Sequence, residues 1–404
     1  MLLSRSDLTR LASTALLSAS ALALCAAPAM ASKFHVIYNF TGGADGGVPP
    51  FTLLPDGNGN LLGTANQGGK HNAGTLFSLS PGDGKTWQLS VLYDFTDKQG
   101  QPGWGLIPAR HGRDFFVNTG YASVLGGPCG SVVKVKPSAS SGEDRGHVVL
   151  TYTKSHDGCP TGNLLQDKHG NLFGVTQDGG ANNWGSVFEL TRGHGGYSET
   201  ILYSFRGEED GGAPYNALIE DHAGNLYGTA TASTKNSGTV FELSPNGSGY
   251  DYKVLHAFMG GDDGGQPVAG LIRDGSGNLY GATESWGANG GGTVYELSPQ
   301  RGSWSFQVLH ALPGGSGGPV TSLTWGGLGQ LYGTNFFDGA DSYGSGFSLT
   351  PANGKWRYRD LHDFTGGADG GYPGGGVVID TAGDLFGTAV LGGTGNGVVY
   401  EITP

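Results

Sequence analysis

Four short loops carry an aspartate followed by two glycines: Asp45-Gly46-Gly47, Asp210-Gly211-Gly212, Asp263-Gly264-Gly265 and Asp369-Gly370-Gly371. Aromatic residues surround them: Trp184, Trp286, Phe336, Phe337 and Tyr343, with Trp104, Tyr215 and Tyr372 just after such loops. Rings interleaved with Asp and Asn suit stacking on sugar rings and hydrogen bonding to hydroxyls. The same aspartates, Asp45, Asp210, Asp263 and Asp369, make calcium a candidate guest, although their spacing is not that of an EF-hand loop. Two functions are compatible with this set. One is a non-catalytic binding module for a glycan or a cell-surface protein; the alternative is a lyase or hydrolase with a central acidic or metal site on the same face. The binding module is preferred, because the acidic loops are repeated rather than unique and no base and nucleophile can be paired. No catalytic residue is assigned, and no cofactor besides calcium is expected.

Internal repetition separates fold from function, since a residue present in most copies serves the fold and one unique to a loop is free for other work. Asp56, Asp167, Asp221, Asp274 and Asp380 recur before a tight turn, where a carboxylate bonds naturally to the backbone. Glu189, Glu242, Glu296 and Glu401 recur on separate units, which weakens a paired-carboxylate glycosidase. His256, His310 and His362 share a slot with Tyr38, Tyr93 and Tyr203, which makes it a packing position rather than a metal site. No His-Glu-x-x-His, Walker loop or nucleophile elbow stands out.

The elements that position these residues repeat in one register. Prolines fall at Pro49, Pro102, Pro160, Pro214, Pro267, Pro319 and Pro373, spaced by 53, 58, 54, 53, 52 and 54 residues. Ten residues after each comes a glycine, from Gly59 and Gly112 through Gly170, Gly224, Gly277 and Gly329 to Gly383. One unit, Pro267 to Leu312, reads as four short strands with turn chemistry between them, the last alternating strictly through Trp304, Phe306, Val308, His310 and Leu312. Seven such units predict an all-β, seven-bladed β-propeller with four strands per blade. The seventh unit stops after its third strand, and Phe34–Phe40 matches a fourth, so the N-terminal strand is expected to complete the last blade and close the ring. At the crowded axis, Thr52, Gly105, Asn163, Ala217, Gly270, Ser322 and Gly376 are small or modest, as the taper requires. The Asp-Gly-Gly loops and the unique aromatics fall in connections that emerge on one face of such a ring.

The motifs Gly224-Asn-Leu-Tyr-Gly-Thr229, Gly238-Thr-Val-Phe-Glu-Leu-Ser-Pro245 and Asp263-Gly-Gly-x-Pro267 resemble the GloVer tandem repeat of choice-of-anchor bacterial surface proteins, over essentially all of residues 34–404. Asp-x-x-Gly-Asn-Leu-Tyr is similar, less specifically, to NHL and two-component-regulator propeller repeats. The resemblance implies export and surface or extracellular residence, and no particular activity. Such proteins often end in an anchor segment, and none follows Pro404, so a free periplasmic or extracellular protein is expected. The second unit departs most, with Gly112-Arg-Asp-Phe-Phe116 in place of Gly-Asn-Leu-Tyr-Gly and Ala109 where other units have Asp.

Composition agrees. Gly 78 and Pro 19 with only 14% charged residues exclude helix bundles and coiled coils. Residues 1–31 read as a secretory signal: Arg5 and Arg10, an apolar run from Leu11 to Ala27, and Ala29-Met30-Ala31 as cleavage site. Cys25 lacks the small preceding residue of a lipobox, since Leu24 stands there. Removing Arg5, Asp7 and Arg10 with the leader takes the formal charge from −12 to −13, which argues against nucleic acid or an anionic membrane as partner. No later stretch is long and apolar enough to span a bilayer, and a monomer is expected. In an exported chain Cys129 and Cys159 form an even pair, expected to make a disulfide worth roughly 3–4 kcal/mol.

Overall fold

Short runs of alternating Val, Leu, Phe and Tyr between glycine turns can bury one face only by packing sheet against sheet. The computed structural model describes residues 31–404, apart from 83–85, 111–112, 121–127, 138–145, 154–157, 315–316 and 320. The expected leader and Gly112 therefore fall outside the described residues. The rest forms a seven-bladed β-propeller of antiparallel sheets. Blade 5 is typical, with strands Ile272–Arg273, Leu279–Thr283, Thr293–Gln300 and Ser303–Ala311 paired in chain order. Blade 4 adds a short strand, Gly212–Pro214, on the edge of Leu226–Ala232. The ring closes as expected: Lys33–Asn39 pairs with Val398–Thr403, from Lys33 opposite Thr403 to Asn39 opposite Val398.

The outermost strands differ from strict alternation. Each blade carries a register shift between its third and fourth strands, as between Val294 and Tyr295 in blade 5. There Tyr295 faces Val308 but Val294 faces His310, so Leu309 is inserted and turns into the core. A bulge of this kind sharpens the local twist and re-aims the chain beyond it. In each blade that stretch of chain holds the His/Tyr slot and the loop after it.

The glycine in the middle of the second strand is fixed by packing rather than by backbone conformation. A Cβ on Gly63, Gly174, Gly228, Gly281, Gly333 or Gly387 would lie 2.3–2.6 Å from the third-strand ring of Phe77, Phe188, Phe241, Tyr295, Phe347 or Tyr400. All six rings are fully buried. Blade 2 departs at both positions together, pairing Val117 with Val133, each fully buried. Its divergence is thus a compensated repacking.

Next to the axis, the second strand of one blade donates to the first strand of the next or to the segment leading into it. Thr388 Oγ1 donates to Phe51 O (3.0 Å), Thr229 Oγ1 to Ala269 O (3.3 Å), Thr334 Oγ1 to Gly375 O (3.2 Å) and Asn118 Nδ2 to Gly162 O (3.0 Å). These bonds satisfy first-strand carbonyls that would otherwise be buried without partners.

Blade 2 supplies a test of the glycine rule. Gly228→Val should destabilise the protein by about 1–3 kcal/mol or more through overpacking against Phe241. Adding Phe241→Val, which copies blade 2, should recover part of that loss in urea unfolding. A double variant no more stable than Gly228→Val would refute the compensation.

Candidate functional site

The Asp-Gly-Gly loops follow directly from the bulged outer strands. Each aspartate folds its carboxylate back onto its own loop. Asp45 Oδ2 accepts from Thr41 N (2.9 Å), Asp210 Oδ2 from Arg206 N (2.9 Å), Asp263 Oδ2 from Met259 N (3.1 Å) and Asp369 Oδ2 from Thr365 N (3.0 Å). The His/Tyr slot supplies the other partner. Tyr38 and Tyr203 hydroxyls donate to Asp45 (3.0 Å) and Asp210 (2.8 Å), and His256 and His362 Nε2 lie 3.3 and 3.1 Å from Asp263 and Asp369. That slot is therefore more than packing: it holds the loop carboxylate. Burial and then Asp45 push the Tyr38 hydroxyl up to about 12. Burial lowers His256 and His362, with their aspartates opposing the shift. The four carboxylates belong to four separate blade junctions, and among the described residues no three His, Cys, Asp or Glu side chains converge as a metal site would require.

The second glycine of each loop is covered from outside. A Cβ on Gly212 would lie 2.7 Å from the Trp184 ring, one on Gly265 2.6 Å from Trp286, and one on Gly371 3.2 Å from Tyr343. Trp184 and Tyr343 are thereby half-buried as loop covers, whereas Trp286 keeps 42% of its surface exposed. Blades 6 and 7 go further. Phe336 stacks on Tyr372 at 5.3 Å, Phe337 meets Tyr372 edge-on at 5.4 Å, and Tyr343 lies 5.3 Å from the same ring. Tyr372 sits at φ +56° between them, and Phe337 is 38% exposed. Four rings are thus held in one patch.

The sequence-predicted aromatics do not form one continuous surface. Tyr215 points to the axis, where it lines a pocket of about 70 Å³ with Phe51, Thr52, Asn163, Asn216 and Ser322. Trp104 lies on Gln101–Pro108, and its side chain falls outside the described residues.

The repeat model known as the Gloeobacter/Verrucomicrobia repeat matches residues 27–237 and 214–404. The chain belongs to this family. No curated protein matches it significantly. Among solved structures, the GloVer propeller is similar to a putative 6-phosphogluconolactonase from Bacteroides uniformis, at 13% identity and TM-score 0.49 over 78% of this chain and 84% of that one. It is similar also to a triple mutant of AofleA from Arthrobotrys oligospora, at 11% and 0.45 over 82% and 90%. A Dyadobacter fermentans protein of unknown function matches at 13% and 0.45, over 92% and 98%.

The GloVer blades differ at the second-strand position just before the buried glycine, which holds Tyr in some and Phe in others. In blade 4 the Tyr227 hydroxyl lies 3.1 Å from Asp221 Oδ2 and 3.2 Å from Glu242 Oε1, bridging two acids. In blade 3 the equivalent residue is Phe173, opposite Glu189. Asp167 keeps its turn role, accepting from His169 N and Asn171 N at 2.8 Å. Glu189 loses the phenol, and burial followed by the Asp167 charge pushes its carboxyl up. Phe173, Glu189, Glu220, Tyr250 and Arg110 line a groove of about 500 Å³ here. The position is shared between Tyr and Phe, and Phe386 stands opposite Glu401 in the same way in blade 7.

The structure does not show the expected disulfide. Cys129 and Cys159 are not bonded to each other. They are nonetheless neighbours: burial first, and then a hydrogen bond with Cys129, raises the Cys159 thiol, whose backbone N–H donates to Asp178 Oδ1 at 2.6 Å.

Blade 6 holds a titratable pair unique to it. Asp360 occupies the position taken by Val36, Val91, Val148, Ile201, Val254 and Val308 in the other blades. Burial, then the charge and hydrogen bond of Asp363 and the charge of Asp338, pushes its carboxyl up to about 6. Tyr358 faces the same three acids. A carboxyl raised on folding binds more protons folded than unfolded, so its contribution is full at low pH and is lost as pH climbs toward 6. Asp360→Val should therefore raise the melting temperature little at pH 4 and progressively more up to about pH 6, levelling above. An effect independent of pH would contradict this assignment.

Proposed function

We propose that this protein is a non-catalytic binding module whose loop face takes a neutral glycan, with a cell-surface protein as the other partner class. The observation that carries the reading is the patch of Phe336, Phe337, Tyr343 and Tyr372. Preordered rings at an exposed edge offer flat apolar area at low entropic cost, which suits the C–H faces of a sugar. The loop aspartates support the reading indirectly, because their oxygens are spent on their own loops and leave little for a cation. Phe337→Ala should weaken binding of the best oligosaccharide from a soluble panel at least tenfold, as read by titration calorimetry. Its melting temperature should stay within a few degrees of the parent, since the ring is exposed. Unchanged affinity would remove the patch from the function.

We also propose export to the periplasm or cell exterior, as the leader and family suggest, and closure of the Cys129–Cys159 bridge there. The neighbouring thiols support it: joining them across the blade 2 to blade 3 connection needs loss of two protons and two electrons to a disulfide oxidant. Protein purified from an oxidising compartment should weigh two hydrogen atoms less than after reduction. Cys159→Ser should abolish that difference, and an oxidised protein with no mass change would exclude the bridge.

A further inference from the structure

The groove of about 500 Å³ beside Glu189 lies on the face opposite the Asp-Gly-Gly loops. Its lining comes from the first-to-second-strand turns at Asp167 and Asp221 and from the strand ends at Pro245 and Tyr250. Phe173, buried, and Tyr250, half-buried, give it ring surface. Each blade junction presents the same two positions: the third-strand residue cross-strand from Phe173 or its equivalent, and the last residue of the next first strand. Only the junction of blades 3 and 4 holds a carboxylate at both, Glu189 and Glu220. The next junction pairs Glu242 with Arg273, and the other five hold at most one acid. Blade 4 also answers its acid with the Tyr227 hydroxyl, 3.2 Å from Glu242, whereas Phe173 has none to offer Glu189.

We infer that this groove binds an aliphatic amine as its ammonium ion, held between Glu189 and Glu220 with the methylene stem along Phe173 and Tyr250. The turn aspartates Asp167 and Asp221 are engaged by their own backbone, so they contribute charge while the two glutamates remain to make contact. Histidines aside, the lining carries four carboxylates against the two cations Arg110 and Lys168. That negative surplus disfavours anions and attracts a cation. Burial and then the Asp167 charge push both glutamate carboxyls up, and Arg110 and Lys168 oppose the rise at Glu220. Glu189, Glu220 and Asp167 add to burial in raising the Tyr250 hydroxyl, so three acids surround one ring. A cation among them favours their charged forms, and a ring face beside carboxylates suits an ammonium group. Among the described residues no three acids converge as ligands of a metal ion, and the groove is far larger than a bare ion, which leaves an organic cation. The assignment is independent of the glycan reading, because it uses the other face of the ring.

Three probes with one five-carbon stem test this: cadaverine, aminopentanol and pentanediol, which carry two, one and no positive charges. They would be titrated calorimetrically at low ionic strength into the wild-type protein, Glu220→Arg, Glu189→Gln and Glu209→Gln. Cadaverine should bind the wild type saturably at one site, aminopentanol more weakly and pentanediol not at all. Glu220→Arg copies Arg273 of the next junction, so it should fold, with a melting temperature within a few degrees of the parent. It should weaken cadaverine at least tenfold, and Glu189→Gln should also weaken it. Glu209, an exposed acid on the loop face, lies outside the groove, so Glu209→Gln should leave binding unchanged. That variant separates a site from the general pull of an acidic chain. Binding of pentanediol as tight as that of cadaverine, cadaverine affinity unaffected by Glu220→Arg and Glu189→Gln, equal weakening by Glu209→Gln, or no binding of either amine would overturn the inference.

Discussion

Convergence on a single axis is the constraint on which the rest of this molecule depends. Seven sheets that splay at the rim must share a narrow centre, and the second and first strands have no room for ordinary side chains there. The chain answers with a glycine under each large third-strand ring, as with Gly228 beneath Phe241, and with a hydroxyl or amide reaching across to the next blade, as with Thr388 to Phe51. The first device lets the buried aromatic layer lie close to the strand; the second satisfies carbonyls that the short first strands leave open. Ring closure by Lys33–Asn39 completes the last blade from the other end of the chain and so ties the two ends of the ring together within one sheet.

That constraint explains why so much of the fold is legible in sequence. Small residues at the axis, glycines at fixed offsets and turn aspartates recur because each blade meets the same geometry. The strand count, the closing strand and the family resemblance all derive from repeated features. Non-repeated geometry is less visible. The bulge at Leu309 leaves no compositional mark, since Leu is as natural in an alternating strand as in an inserted position. Blade 2 looks degraded in sequence, because Val117 and Val133 lie far apart in the chain and only their contact shows that they compensate each other.

The site was less legible for the same reason. Aromatic residues in loops were visible, but not which of them cover a glycine and which face outward. Trp184 and Tyr343 lie on Gly212 and Gly371, and only the accumulation of rings around Tyr372 makes a patch. Tyr215, one residue after its proline, turns inward because the first strand begins there and heads for the axis. The shared His/Tyr slot was read as packing, and its partner was hidden, since Asp210 lies seven positions beyond Tyr203 across the loop. Asp360 stands out only by comparison between blades, where one unit departs from what its neighbours hold.

The acidic loops shape this face through hydrogen bonds within themselves. Their carboxylates accept from loop backbone and from Tyr or His, so each loop is a closed hydrogen-bonded unit, and in three of the four the second glycine packs against a ring. A carboxylate so engaged costs energy to redirect toward a guest, because its own donors would then be stranded. The negative charge of the chain therefore reaches a ligand mainly as a diffuse field that disfavours anions, and screening by salt weakens even that. At contact distance the face offers ring surface at blades 6 and 7 and an uncharged pocket at the axis. Both would suit the guest proposed above, one with apolar C–H faces and hydroxyls and no net charge.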